Sequence, residues 1–346
     1  MVTIHTIGAL AGGERRRYLG GSSSVRHALR RSDRSFIVRS GGWVGTVNER
    51  DALRSLAVDL PHAGDDAAVV GDTVITTDML HERTDFPAGT TRYTAGWRAV
   101  GASLSDVAAM GAEATAAVAV YADASFDEGD LDRFIAGAVD VCAAVDAEYV
   151  GGDLDTHQEF TTASTAIGSV TDAGVVERSG ARPGDTLCVT GEWGRSAAAV
   201  RLFKRGDEAS IERANDLFRF TPRVADGRVL AGTATAMMDS SDGLARSLHQ
   251  LAEASEVGFE LDREAVPVHP AVDDVVDSET DERFELAAHF GEDFELVCTV
   301  PDEAVAAVRQ ACPGGLVRVG RVVEAAAGVT ADGEPLPDRG YTHGDG

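Results

Sequence analysis

From about Glu49 onward, short runs of alternating apolar and polar residues take turns with longer stretches in which apolar residues recur every three to four positions. These are the periods of strands and of helices. Ala67 to Val70 and Val74 to Thr77 read as a hairpin turned at Gly71-Asp72. Tyr93 to Gly111 predicts a helix whose Ala, Val, Leu, Trp and Met residues cover nearly every face, as expected of one buried on all sides. Ala114 to Ala122 reads as a strand, Asp130 to Val145 as a helix and Thr161 to Val170 as another strand. The turn-rich passage Arg178 to Asp185 then interrupts the pattern, which restarts with a strand at Thr186 to Thr190. Helices at Arg195 to Lys204, Pro222 to Ala231 and Gly243 to Ala254 follow, with a strand at Phe294 to Val300. This order predicts two α+β domains, 49–175 and 176–346, and not one Rossmann sheet.

Residues 1–48 lack that pattern. They carry eight Arg against Glu14 and Asp33, whereas the remainder has 23 basic and 55 acidic residues, a net charge of −32. Their Gly/Ser/Arg-rich text is expected to be a disordered basic extension, or the product of a start placed too far upstream. Arg15-Arg16-Arg17 has the look of an export signal, but no apolar stretch follows it.

The whole chain has 57 acidic and 31 basic residues, and Lys204 is its single lysine. So negative a surface makes nucleic acid an improbable partner and points to adaptation to high salt. No run of about 18 apolar residues is present to span a bilayer. Cys142, Cys188, Cys298 and Cys312 lie in apolar text without CxxC spacing and read as reduced core residues of a cytoplasmic protein.

Because most carboxylates in such a chain are solvated, the informative ones are those set in Gly-rich or apolar text, where a charge must be paired or metal-bound. They are Asp65-Asp66 after Gly64, Asp78 at the end of Val74 to Thr77, Asp106 in the buried helix, Asp153 after Gly151-Gly152, Asp239 and Asp242 around Ser240-Ser241, and Glu292-Asp293. Ser103 and Asp106, three residues apart, share one helix face. An Arg-paired buried carboxylate explains Asp106 as readily as a metal ligand does, with Arg98 on the same helix. Thr76, Thr77 and Asp78 gather hydroxyl, carbonyl and carboxylate oxygens of the kind hard cations take, although a strand running into a turn has the same letters. Gly151-Gly152-Asp153 permits close backbone approach to phosphate, and also suits a turn. No GxxxxGK[ST] loop exists, so phosphate chemistry here has to rely on carboxylate-held divalent metals and Arg.

Taken in order, Gly64-Asp65-Asp66, Thr76 to Leu80, Gly96 to Ala99, Ser103 to Gly111, Gly151-Gly152-Asp153, Arg178 to Asp185, Asp239 to Gly243 and Gly291 to Phe294 resemble thiamine-monophosphate kinase. That family belongs to the superfamily of aminoimidazole ribonucleotide synthetase, selenophosphate synthetase and the hydrogenase maturation dehydratase. The resemblance runs from about Glu49 to the C-terminus. It implies a two-domain α+β fold of the aminoimidazole ribonucleotide synthetase type, and a homodimer whose N-terminal sheets pair into a shared barrel. It also implies ATP as co-substrate, several Mg2+ ions, and direct in-line phosphorylation of thiamine monophosphate to thiamine diphosphate. By motif, Asp66, Thr76, Thr77, Asp78, Asp106, Asp153, Asp239 and Asp242 are the implied metal ligands. Gly152, Asp153, Arg178 and Ser241 are the implied ATP contacts, and Asp85, Glu292 and Tyr341 the implied substrate contacts. The attacking phosphate oxygen is already ionised, so no residue is assigned as general base. The chain departs from the family at Asp85, where many members have His, and at Tyr341, where the aromatic is often Trp.

Two rival readings have their own signatures. A sister enzyme such as a purine-pathway synthetase shares similar ATP-binding carboxylates. A non-catalytic acidic protein that binds divalent cations would carry the Asp motifs as surface decoration, which their apolar flanks argue against.

Overall fold

The computed structural model describes residues 60, 63–276 and 280–340. The basic extension 1–48 and Tyr341 lie outside the described residues. Two sheets carry the fold. In the first, β1 (Ala68–Val70), β2 (Thr73–His81), β3 (Glu113–Asp123), β4 (Glu148–Thr156) and β5 (Thr161–Ser169) lie in the order β1-β2-β5-β3-β4. All its pairs are antiparallel except β3 with β4. The hairpin turns where expected, with Val70 opposite Thr73 and Gly71 at φ +63°, a left-handed value that favours glycine.

One face of this sheet is covered by α2 (Arg92–Ala109) and α3 (Glu128–Ala143), which follow a short turn of helix, α1 (Glu82–Asp85). Thr91 caps α2 by accepting from the backbone N–H of Thr94 at 3.2 Å. The two long helices cross closely through reciprocal glycines. A Cβ at Gly96 would sit 2.0 Å from the Phe134 carbonyl, and one at Gly137 2.0 Å from that of Tyr93. The opposite face of the sheet is open, leaving Val70, Ile75, Met79, Val118, Val150 and Leu154 exposed.

The second sheet has seven strands in the order β12-β11-β8-β10-β6-β9-β7. These are β6 (Thr186–Thr190), β7 (Ala236–Asp239), β8 (Val257–Leu261), β9 (Leu296–Val300), β10 (Leu316–Glu324), β11 (Val329–Ala331) and β12 (Glu334–Pro335). Its helices are α4 (Arg195–Arg205), α5 (Glu208–Phe218), α6 (Val224–Leu230), α7 (Leu244–Ser255), α8 (Thr280–His289) and α9 (Val305–Ala311). The apolar core of the first sheet continues through Val107 and Met110 of the α2 region into Leu230, Met237 and Leu296 of the second. A long buried helix therefore bridges both halves, which is why α2 is apolar on nearly every side. All four cysteines are free and buried, and no helix among the described residues is long and apolar enough to cross a membrane.

Candidate functional site

The site begins where β2 meets α2. Strand side chains alternate between faces, so Val74, Thr76 and Asp78 point toward α2 while Ile75, Thr77 and Met79 point to the open face. Ser103 and Asp106 answer from the helix. The Ser103 hydroxyl donates to Asp78 Oδ2 at 2.8 Å, and the Thr76 hydroxyl to Asp106 Oδ2 at 2.5 Å. Ser164 on β5 fixes Ser103 from behind, with their hydroxyl oxygens 2.6 Å apart, and donates to the Ala99 carbonyl at 2.6 Å.

Two further carboxylates close over this pair from distant parts of the chain. Asp239 ends β7, and Asp66 lies on the loop before β1. Asp66, Asp106 and Asp239 each place a carboxylate oxygen within 4.8 Å of the others. Burial pushes the Asp106 and Asp239 carboxyls well above the usual range, and the neighbouring charges of Asp78 and Asp66 push the same way. Asp78 is also raised, again first by burial. Arg178 donates to both oxygens of Asp66, at 2.8 and 3.2 Å. Burial opposes the Arg178 charge, but Asp66, Asp239 and Asp106 outweigh it and hold the guanidinium protonated.

Neither Asp78 nor Asp106 takes part in an ion pair among the described residues, so the Arg-paired explanation of Asp106 does not hold. Arg98 turns elsewhere, to Glu292. Among the described residues, no hydrogen-bond partner reaches the buried Asp239 Oδ2 or the buried hydroxyl of Ser240. Such groups cost free energy unless something polar reaches them. Crowded carboxylates, hydroxyl oxygens and an orphaned carboxylate oxygen form the donor set a hard divalent cation takes. The residues present fit Mg2+.

A second group of side chains lies near Arg98. The loop Gly291 to Glu295 is laced to the loop after β7, since the Glu292 N–H donates to the Ser241 carbonyl at 2.6 Å and the Phe294 N–H to that of Ser240 at 3.3 Å. Glu292 and Phe294 both have positive φ, +65° and +54°. The Glu292 carboxylate pairs with Arg98. Asp85, at the end of α1, accepts from the His81 N–H at 2.7 Å and the Thr84 hydroxyl at 2.8 Å, and its charge also acts on Arg98. Asp85 and Glu292 thus fall in one neighbourhood.

Other expected site residues lie elsewhere. In the run Thr76-Thr77-Asp78 the period of two brings the side chains of Thr76 and Asp78 to the α2 face and turns that of Thr77 to the open face, where it donates to the Ser164 carbonyl at 2.8 Å. Asp242 lies on the loop after β7, outside the three-carboxylate group. Gly151, Gly152 and Asp153 do not follow a strand but lie within β4, at the sheet edge. Three strand spacings separate β4 from β2, about 14 Å at the usual interval. On that spacing Asp153 lies apart from Asp78 of its own chain. Gly152 is needed for strand pairing, since a Cβ there would meet the Ala119 carbonyl at 1.8 Å. Gly152 and Asp153 instead line a separate cavity of about 180 Å³ with Tyr121, Ile135 and Tyr149.

Sequence reasoning passed over Ser164, whose burial behind Ser103 had no local signal. It also missed the aromatic seat of Arg98, built from Phe218, Phe220 and Phe294.

Residues 64–170 match the family of AIR synthase related proteins, N-terminal domain, and residues 182–332 its C-terminal domain. A thiamine-monophosphate kinase of Halobacterium salinarum is 61% identical over 297 residues, 86% of this chain and 100% of that protein. One from Methanospirillum hungatei is 41% identical, over 81% of this chain and 92% of its own length. Among solved structures, AaThiL complexed with AMPPCP and TMP superposes with a TM-score of 0.77 at 26% identity, covering 87% of this chain and 99% of that one.

Proposed function

The chain belongs to the thiamine-monophosphate kinase family of AIR synthase related proteins, and from that premise we propose that it transfers the γ-phosphoryl group of ATP to thiamine monophosphate, forming thiamine diphosphate and ADP. The observation that carries this reading is the crowding of Asp66, Asp106 and Asp239, three carboxylates within 4.8 Å, beside a loop that presents Glu292. A kinase without a P-loop lysine has to gather phosphates in some such way.

Asp66, Asp106 and Asp239 would hold Mg2+, with Asp78 beside them and Asp242 at the loop after β7. Bound there, Mg2+ supplies charge neutralisation between the triphosphate of ATP and the phosphate of the acceptor. The chain's own residues orient this set. The Thr76 hydroxyl fixes Asp106, and the Ser103 hydroxyl fixes Asp78. Arg178, held on Asp66 in the structure, is the cation that would meet the ATP phosphates. Ser241 lies on the loop that anchors Glu292, which would set an ATP contact next to an acceptor contact. The acceptor oxygen is ionised at neutral pH, so positioning for in-line attack suffices and no general base is assigned.

The open apolar face of the first sheet supports the homodimer. We take two such faces to pair into a barrel, which would also bring Asp153 and Gly152 of one protomer to the carboxylates of its partner. This answers the separation of about 14 Å between β4 and β2 in one chain. High salt, and a cytoplasm in which the four buried thiols stay reduced, complete the proposed setting.

The test is incubation at high salt with ATP, Mg2+ and thiamine monophosphate, with chromatographic analysis of products. Equal amounts of thiamine diphosphate and ADP are expected. No thiamine diphosphate, despite Mg-ATP binding in calorimetry, would overturn the acceptor and favour a sister enzyme. No binding at all would favour an acidic cation-binding scaffold.

A further inference from the structure

Arg98 is 2% exposed, the most buried arginine among the described residues. Its Nη1 donates to the Phe218 carbonyl at 2.6 Å, and its Nη2 pairs with the Glu292 carboxylate. The guanidinium lies 3.6 Å from the centre of the Phe218 ring. Phe220 and Phe294, stacked on each other at 4.3 Å and 10°, flank it at 5.4 and 5.5 Å. Burial pulls this guanidinium's pKa down, and the charges of Glu292, Asp293 and Asp85 oppose that fall.

A methionine or leucine would pack against the same three rings without the desolvation that a buried charge costs. The position therefore demands something that packing does not supply. What Arg98 adds is a charged donor held in place: with Nη1 anchored on the Phe218 carbonyl, Nη2 reaches the Glu292 Oε2 and, at 3.4 Å, the Glu292 carbonyl. That residue has a left-handed φ of +65°, its N–H is tied to Ser241, and its carbonyl accepts from the Ser196 hydroxyl at 2.6 Å. The Glu292 side chain is still 25% exposed, so one edge of its carboxylate remains open to a ligand.

Arg98 also sits on the helix that carries Asp106, eight residues away, or about 12 Å along the axis. One rigid element thus spaces the metal end of the site from the end that receives the acceptor. We propose that Arg98 is a positioning residue for acceptor recognition. Resting on the reading of Glu292 as an acceptor contact, it aims that carboxylate at the donor-bearing, cationic heteroaromatic part of the acceptor and leaves ATP binding and phosphoryl transfer untouched.

Steady-state kinetics of R98Q, R98K, E292Q and the R98Q/E292Q double variant test this. For R98Q, the KM for thiamine monophosphate is expected to rise about tenfold or more, with the KM for ATP and kcat changing less than about threefold. R98K keeps the charge but loses the second nitrogen that anchors it on the Phe218 carbonyl, so a smaller rise of about threefold is expected, and it remains informative if R98Q does not fold. The double variant should be no worse than the worse single one, because both remove the same interaction. Equal rises in both KM values, a fall in kcat alone, or multiplied effects in the double variant would overturn the inference. A wild type that makes no thiamine diphosphate overturns the functional reading and this inference with it. An active wild type with an unaltered R98Q or R98K overturns the inference alone.

Discussion

Arg178 lies across Asp66 in a two-pronged contact, Nη2 to Oδ1 at 2.8 Å and Nε to Oδ2 at 3.2 Å, with the Asp66 side chain only 1% exposed. The same carboxylate closes on Asp106 and Asp239. Asp66 is therefore shared between an arginine and the place where a cation fits, and Arg178 compensates part of the negative charge gathered there.

The first prediction concerns that sharing. Arg178→Gln leaves a buried carboxylate unpaired, so the metal-free protein should lose about 3 kcal/mol of stability. Mg2+ should restore much of it, and the KM for ATP should rise at least about tenfold. Thermal melts with EDTA and with Mg2+, alongside ATP titrations, check this. Unchanged melts in EDTA would show that the contact carries no weight.

Asp78→Asn and Asp106→Asn should behave in the opposite sense. Both carboxylates are raised by burial and have no ion-pair partner among the described residues, so removing their charge should leave the metal-free protein as stable as before, or more so. Turnover should drop by about a hundredfold or more, and the stabilisation by Mg2+ should shrink. Calorimetric melts with and without metal measure both effects. A large destabilisation in EDTA would mean that these groups hold the fold.

A pH dependence follows from the same burial. A carboxyl whose folded pKa exceeds its unfolded one favours the fold while protonated, and that contribution fades as pH rises through the folded value. Asp293, moved by burial from the ordinary 3.8 to about 6, sets the first window, and Asp106 and Asp239, shifted well upward, extend it. The melting temperature in EDTA should thus fall as pH is raised across and beyond that window. Mg2+ should offset the fall and release protons on binding. Titration calorimetry in buffers of different ionisation enthalpy counts those protons, and finding none would contradict the assignment.

Of this site, the sequence revealed the parts and not their assembly. Strand β6 has the bounds expected, Thr186 to Thr190, and α2 lies within two residues of its expected ends, because strong periodicity and a capping Thr91 fix both locally. The pairing of Ser103 and Asp106 on one helix face was also legible. The meeting of Asp66, Asp106 and Asp239 was not, since it depends on how two sheets pack around α2. Nor was the Arg98 to Glu292 link, which joins residues 194 positions apart. Thr77 shows the limit within a strand, where a run of oxygen-bearing residues looks continuous in the sequence and the pleat splits it between two faces.

The open sheet face yields a prediction about assembly. Met79→Asp, on a residue 55% exposed, should give monomers in size-exclusion chromatography at high salt, with little activity. If Asp153 acts across the dimer, mixing inactive Asp153→Asn and Asp106→Asn proteins under subunit exchange should restore about a quarter of wild-type activity, since half the dimers are then mixed with one intact site each. No recovery despite verified exchange would place both residues in one chain's site.

The excess of acid should make the fold depend on salt. Residues 49–346 carry a net charge of −32, which repels across about 10 Å at 0.1 M salt but about 3 Å at 1 M. Melting temperature should climb steeply between 0.1 and about 1 M KCl and flatten above it. A flat profile from the lowest salt would remove the case for adaptation to brine.

The most direct test of the central claim, that the carboxylate cluster of Asp66, Asp106 and Asp239 gathers cations for phosphoryl transfer, is the magnesium dependence of thiamine diphosphate formation by the wild type and by Asp106→Asn. The wild type should be inactive in EDTA and saturate as Mg2+ is added. Asp106→Asn should need at least about tenfold more Mg2+ and reach a lower plateau. Equal magnesium requirements in the two proteins, or product formation by the wild type in EDTA, would contradict the account.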